Sequence, residues 1–367
     1  MRHPPLTVFR TDRGGILVQA LSRKADAILS CGGPHTPFRG RMFLGSQTAS
    51  RERADPMTDG NVILVGVDGS PESLAAVDWA VARAERQGWR VHILCAYSLP
   101  SFTTASLDGG YAALDDSAVR SGAQAVIDEA VERVKKSGVA VTSSLETGDP
   151  AGVLVDLSEE ATLAVVGTRG GGGFTDRLLG TVSSALPAHS HCPAVVVPQR
   201  TEGAEYTPVR RIVVGVDGSS SARKALKWAV TEAEAWGAEL TAIAAVPMAS
   251  GAGALAWLPA AVDREQVLAD VRSGLDRAIN EALEGHENVT VRRHALDGNP
   301  AELLSEFSTA VDLIVVGSRG RGGFSGLLLG STSQAVLSHA SCPVLVVPSR
   351  HLKEKRASRT STPWGRA

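Results

Sequence analysis

The stretch ILVGVDGS at residues 63–70 returns as IVVGVDGS at 212–219, and other pairs of segments follow at the same interval. VVGTRG at 165–170 matches VVGSRG at 315–320, and CPAVVVP at 192–198 matches CPVLVVP at 342–348. Asp68 and Asp217 stand 149 residues apart, and Gly167 and Gly317 stand 150 apart, so the halves differ by one net insertion. From Gly167 to Pro198 the two copies agree at 17 of 32 positions without a gap. Generic strand and turn composition does not produce that much agreement, and duplication is the simple cause.

Each copy alternates short β-branched apolar runs with longer segments of helical period, the pattern of βαβ units on a parallel sheet. In the first copy strands are expected near 62–67, 91–97, 140–146, 163–167 and 194–197, with helices between them. Ser70 and Ser219 are expected to cap the opening helices, and Pro71 suits the first helical position. The expected fold class is α/β, two repeated doubly wound parallel five-stranded sheets. The boundaries read as a poorly ordered extension at 1–58, a first domain at 59–199, a linker at 200–209, a second domain at 210–349 and a basic tail at 350–367. Val195–Val197 and Val344–Val347 read as apolar edge strands, and such edges need cover. Pairing the copies across a pseudo-twofold supplies it, giving an intramolecular pseudo-dimer that is able to dimerise again as a homodimer.

The 367 residues are too many for one core, and 43% apolar against 21% charged residues argues against disorder throughout. Thirty-seven Lys and Arg against 39 Asp and Glu leave no global attraction to nucleic acid or to anionic membrane. Cys31, Cys95, Cys192 and Cys342 form no C-x-x-C pair, which fits a reducing compartment, and the cytoplasm is expected. The first residues lack the apolar core of an export signal. Seven basic residues in 1–50 against Asp12 and Asp26 suit either an organellar address or an upstream start before Met57, and the second is favoured. The uncharged run Leu240–Val262 is long enough for a membrane span but is interrupted by Pro247, Gly251, Gly253 and Pro259. The tail after Ser349, with six basic residues against Glu354, is expected to be solvated.

The chemistry lies after the fourth strand, where GTRGGGGFTDRLLGTVSS runs from Gly167 and GSRGRGGFSGLLLGSTSQ from Gly317. Gly167, Gly170, Gly317 and Gly320 permit close backbone approach that a Cβ would forbid. Gly180 and Gly330 precede Thr181 and Ser331 at helix starts, whose free N–H groups attract phosphate, and the hydroxyls of Thr181, Ser183, Ser331 and Ser333 are expected to add donors. No lysine stands where a P-loop requires one, and the glycines do not follow the first strand as in the dinucleotide fingerprint. Asp68 and Asp217, ending the first strands, suit ribose hydroxyls or a hydrated Mg²⁺.

These motifs resemble the universal stress protein family over about 60–198 and 210–348: G-x-x-G-x9-G-[ST] in both copies, V-x-V-D in the first strand and C-P-x-x-V-V-P at the close. The resemblance implies a flavodoxin-like or Rossmann-like sheet, of universal stress protein type, that binds ATP, with roles in stress response, dormancy or growth control. By position it puts phosphate contacts on Gly167, Gly170, Gly180, Thr181 and Val182, and on Gly317, Gly320, Gly330, Ser331 and Thr332. It puts ribose on Asp68 and Asp217 and the adenine-facing backbone near Ala96 and Ala245, with 98–118 and 247–264 overhanging the base. Pro187, where the second copy has Leu337, is expected to kink or shorten the helix after the first loop, which favours ATP at the second site.

Other readings stay beside this one. Arg169 and Arg319 suit phosphate or solvent equally, and Thr162 in place of Asp312 reads as surface. His189, His191 and Cys192 have ligand-like spacing, but the second copy keeps only His339 and Cys342, so a metal is disfavoured. Trp79 and Trp228 read as packing aromatics. No base or water-positioning motif accompanies the loops, so binding with at most slow turnover is expected. The reading adopted is a regulatory module that binds adenine nucleotide and an unidentified protein partner. A weak ATPase or nucleotide-dependent transferase, and a scaffold without ligand, are the alternatives.

Overall fold

Ser70 closes the first helix as its sequence dictates. Its hydroxyl oxygen accepts from the Ser73 N–H at 3.2 Å, Pro71 occupies the first helical position, and Gly88 ends the helix in the left-handed region at φ 65°. In this computed structural model, which describes residues 61–98, 116–168, 179–199, 205–247, 264–320 and 328–349, that helix is α1 (Pro71–Gln87) and follows β1 (Val62–Gly66). The first copy continues with β2 (Arg90–Tyr97), α2 (Asp116–Lys135), β3 (Val141–Thr147), α3 (Pro150–Leu157), β4 (Leu163–Gly167), α4 (Thr181–His189) and β5 (Ala194–Val197). The second repeats the order as β6 (Arg211–Gly215), α5 (Ser220–Trp236), β7 (Glu239–Val246), α6 (Arg264–Ala282), β8 (Val291–Asp297), α7 (Pro300–Phe307), β9 (Leu313–Gly317), α8 (Ser331–His339) and β10 (Val344–Val347). The first half of the uncharged run at 240–262 is therefore strand β7, and among the described residues no helix is long and apolar enough to cross a membrane.

The strands form one sheet in the order β3-β2-β1-β4-β5-β10-β9-β6-β7-β8. Within each copy the pairs are parallel, and the expected five-stranded sheets are its two halves. Alternation along β1 sorts its side chains between two layers. Ile63 and Val65 join an apolar cluster with Ala76, Trp79 and Ala80 of α1, whereas Gly66, of opposite parity, lies under Leu154 of α3. Helices thus cover both faces. The order reverses between β1 and β4, and again between β6 and β9, which opens a crevice at the carboxyl ends of those strands.

The two halves meet at the apolar edges. β5 and β10 pair antiparallel, with Val344 opposite Val196, Leu345 opposite Val195 and Val346 opposite Ala194. All of these side chains are buried, so the join is core rather than rim. Each fully buried Val or Leu contributes about 1.5–3 kcal/mol, enough for a four-residue joint to hold two copies together. The apolar cluster on the α1 side runs without a break from Ile63 through Val195 and Leu345 to Ile212.

Among the polar side chains sunk in the first half is a histidine. His92 on β2 is fully buried, with Nδ1 2.8 Å from Thr142 Oγ1 and Nε2 3.0 Å from Ser144 Oγ, both on β3. Burial pushes its pKa down from 6.5 to about 4. The unfolded chain therefore takes up this proton first on acidification. The stability His92 supplies is complete above about pH 6.5 and is lost as pH falls towards about 4, by up to about 3 kcal/mol. Thermal unfolding followed across that window should show a steeper loss for the parent chain than for His92→Gln, whose amide keeps hydrogen-bonding capacity without titrating.

Candidate functional site

At the switch point of each half a strand end, a loop and a helix start converge. In the second half Asp217 follows β6, Gly317 ends β9, and Gly330 precedes α8. The Gly330 N–H donates to Ser318 O at 2.7 Å, and in the first half Gly180 N–H donates to Thr168 O at 2.9 Å, so one backbone bond pinches each loop at its neck. Gly320 and Gly330 are neighbours: a Cβ built on Gly330 would lie 3.5 Å from Gly320 N. A Cβ on Gly320 would lie 2.5 Å from Asp217 Oδ2, so that carboxylate lies against the loop backbone. Asp217, Gly317, Gly320, Gly330, Ser331 and Thr332 are thereby gathered at one sheet end. In the first half Asp68, Gly167, Gly180, Thr181 and Val182 take the matching positions, while Gly170 and Arg169 lie outside the described residues. Ala96 and Ala245 sit at the same sheet end, one strand further out on β2 and β7. The segments expected to overhang the base lie mostly outside the described residues.

The glycines differ in what demands them. A Cβ on Gly167 would come within 2.7–2.8 Å of Glu72 backbone atoms, and one on Gly317 within 2.8 Å of Ser221 C, so both serve the close approach of β4 and β9 to the first turns of α1 and α5. Gly330 has an ordinary φ of −75° and only ordinary contacts at 3.5 Å. Neither packing nor backbone conformation requires glycine there.

Helix capping separates these sites from the rest of the chain. Ser70, Asp149, Ser219 and Asn299 each close a helix start with a side-chain oxygen. α4 and α8 instead begin at Gly180 and Gly330 with no side-chain cap and no acidic residue in the first turn. The N–H groups of Thr181, Val182, Ser331 and Thr332 have no acceptor among the described residues, the arrangement that favours an anion.

Two expectations are corrected. Ser183 and Ser333 are buried, and their hydroxyls donate at 2.6 Å to Thr168 O and Gly317 O. They tie the helix to the strand end, because a hydroxyl at the third helical position reaches back to the carbonyls behind it, so their protons are already committed within the protein. Pro187 does not shorten α4: that helix and α8 both have nine residues, and Ser190 N still reaches Leu186 O at 2.8 Å. In so short a helix the proline removes one interior bond, and the ring packs inward as a buried side chain.

Sequence reading missed Ser349 and Lys224. Arg319 Nε donates to Ser349 Oγ at 2.8 Å and Lys224 Nζ to Ser349 O at 2.8 Å, anchoring two cations where β10 ends beside the crevice. Only the recurrence of a basic residue after each Gly-x, at 169 and 319, hinted at this. Asp312 lies at the opposite end of the sheet, where Oδ2 accepts the Arg210 and Arg211 N–H groups at 2.8 Å. Burial pushes the Cys192 thiol up to about 12 and raises Cys342 further, while burial and then the Asp68 charge raise Cys95. All three described cysteines are buried thiols. Among the described residues no three His, Cys, Asp or Glu side chains are grouped to hold a metal. Trp79 packs against Trp236 of the other copy with centroids 6.1 Å apart, and Trp228 is half-buried beside the core.

Gly167→Ala is expected to lower stability by about 1–3 kcal/mol through overpacking. Gly330→Ala should change it by less than about 1 kcal/mol, since Ala restricts the unfolded chain but suits the N-cap position less well than Gly. Thermal unfolding of the ligand-free variants checks both.

Comparison with known proteins agrees with this architecture. The model of the universal stress protein family matches residues 61–198 and again 208–348. A universal stress protein of Mycobacterium tuberculosis H37Rv is 33% identical over 303 residues, spanning 79% of this chain and 98% of the relative. One from Mycobacterium bovis is 32% identical over 289 residues, spanning 77% and 96%. The crystal structure of a universal stress protein from Archaeoglobus fulgidus shares the fold, with TM-score 0.57 at 22% identity over 78% of this chain and 96% of that one. With two tandem matches across most of its length, the chain belongs to the universal stress protein family.

Proposed function

We propose that the chain is an ATP-binding regulatory module, with the triphosphate held at the starts of α4 and α8 and occupancy altering its shape or its contacts with a protein partner. The observation that carries this reading is the contrast in capping. Four helix starts are closed by side chains, and the two at the switch points open on glycine with N–H groups that have no acceptor among the described residues. The donor set fits a polyphosphate: N–H groups of Ser331 and Thr332, the exposed Ser331 hydroxyl, and a Gly330 that neither its φ nor its packing among the described residues demands. Phosphate roles fall on Gly180, Thr181 and Val182, with Gly320, Gly330, Ser331 and Thr332, through main-chain donors. Gly167 and Gly317 act one step back by letting the strand reach the helix. Asp68 and Asp217 are assigned to ribose, Ala96 and Ala245 to the base through their backbone, and Mg²⁺ accompanies the nucleotide through its phosphates.

A route from occupancy to shape exists in the hydrogen bonding. Thr168 N donates to Val197 O and Ser318 N to Val347 O, so each loop hangs from a strand of the joint between the halves. Three buried thiols suit a reducing compartment, and we assign the protein to the cytoplasm on that ground.

Nucleotide released by heat from freshly purified protein and identified by chromatography should contain ATP. Calorimetric titration of Gly330→Ala/Ser331→Ala should show affinity at the second site reduced at least about tenfold, the loss of roughly one charge-assisted hydrogen bond, with the unfolding midpoint of the ligand-free chain retained. Titration of the parent chain to millimolar ATP without heat would overturn the reading.

A further inference from the structure

Among the described residues the joint between the halves contains one ion pair, and its position is unusual. Arg83 on α1 and Glu232 on α5 are both fully buried, with Nε to Oε2 at 2.7 Å and Nη2 to Oε1 at 3.0 Å. They are 149 residues apart, the interval that relates the copies over this stretch: α1 and α5 each have 17 residues and end at Gly88 and Gly237. Arg83 and Glu232 therefore occupy the same position in the two copies. Two residues that touch their own counterparts lie on the axis relating the copies. The strand joint identifies the same axis, since Val195 faces Leu345, its counterpart at the interval of 150.

We propose that Arg83–Glu232 makes this interface heterotypic: the pairing face of the first half accepts a partner half with a carboxylate at the axial helix position and rejects a copy of itself. The strand joint lacks that discrimination. Its residues are AVVV and VLVV, and either strand would pair as well with its own copy. At the helix level, self-pairing would bury Arg against Arg or Glu against Glu with no water to screen them. The surroundings are equally one-sided. The Arg83 guanidinium stacks 4.4 Å from the Trp89 ring, where the second copy has Ala238. Glu232 Oε2 accepts from Trp236 Nε1 at 3.1 Å, where the first copy has Gln87. Arg86 reaches across to the Trp236 ring at 5.3 Å. The first half thus carries the cations and the second the carboxylate and the indole that receive them. Arg83 Nη1 and Trp79 Nε1 are buried without an acceptor among the described residues, so the cluster is not the arrangement that maximises stability. Choice of partner accounts for keeping it.

The full chain tests this directly. R83E sets Glu against Glu and E232R sets Arg against Arg, each building in one molecule the joint that a half would make with its own copy. Both should lower the thermal midpoint by about 5–10 °C and strip hydrogen-exchange protection from 194–197 and 344–347. R83E/E232R, with an unlike pair restored, should recover at least half of each loss. R83M/E232M should stay closed with a midpoint within about 3 °C of the parent, because well-packed apolar groups replace a buried pair without net loss. The proposal is overturned if a like-charged joint stays closed at the parent's midpoint, if the reversed pair is as open as the single variants, or if the double methionine chain opens. Should the single variants not fold, the reversed and methionine chains decide it by the same readouts.

Discussion

Two short strands made only of alanine, valine and leucine cannot be left facing water, and their mutual cover turns two copies into one molecule. The antiparallel contact of β5 with β10 fixes the axis between the copies, and the rest of the arrangement follows from that axis. It lays α1 beside α5, extends one apolar cluster across both halves, and sets β4 and β9 as the next strands outward. Since the glycine loops grow from β4 and β9, both crevices flank the joint instead of lying at the far ends of a ten-stranded sheet.

The glycine motif, which reads as one unit in the sequence, divides physically into two jobs. Gly167 and Gly317 are demanded by protein against protein, because a methyl group there would enter the first turn of the neighbouring helix. Gly330 faces no such demand. A residue that packing does not require, at a helix start that no side chain closes, is where the molecule gives up roughly a few tenths of a kcal/mol of cap stabilisation. Such a sacrifice recurs at the matching point of the other copy and nowhere else among the described helix starts with a cap position. Local rules that fail in this concerted way mark functional sites.

Much of this was legible in advance, for identifiable reasons. Strands β1, β4 and β5 appear within a residue of expectation because buried parallel strands read as continuous β-branched runs. Ser70 and Ser219 declared themselves because a capping serine has a fixed offset from its helix. Ser183 and Ser333 misled because composition reports that a hydroxyl is present but not which way its rotamer turns. Arg83 and Glu232 were invisible: each lies on a helix rich in charged residues, where the ordinary reading is a solvated face. Only the fold, by laying one copy's helix on the other's, removes both from water.

Duplication explains why such a pair exists at all. In a symmetric assembly of identical subunits the axial position meets itself, so it is confined to residues that tolerate their own image. Joining the copies in one chain lets the two axial residues change separately, and Arg opposite Glu becomes available for the first time. The same freedom extends to the crevices. Lys224 and Ser349 equip the second half with a cation anchored at its strand end, where the first copy has Ala75 and Gln199. Two sites of common ancestry, hung from one joint and no longer identical, can differ in affinity while acting on the same pair of strands. That combination is not open to a symmetric dimer, whose sites are alike until the first ligand binds.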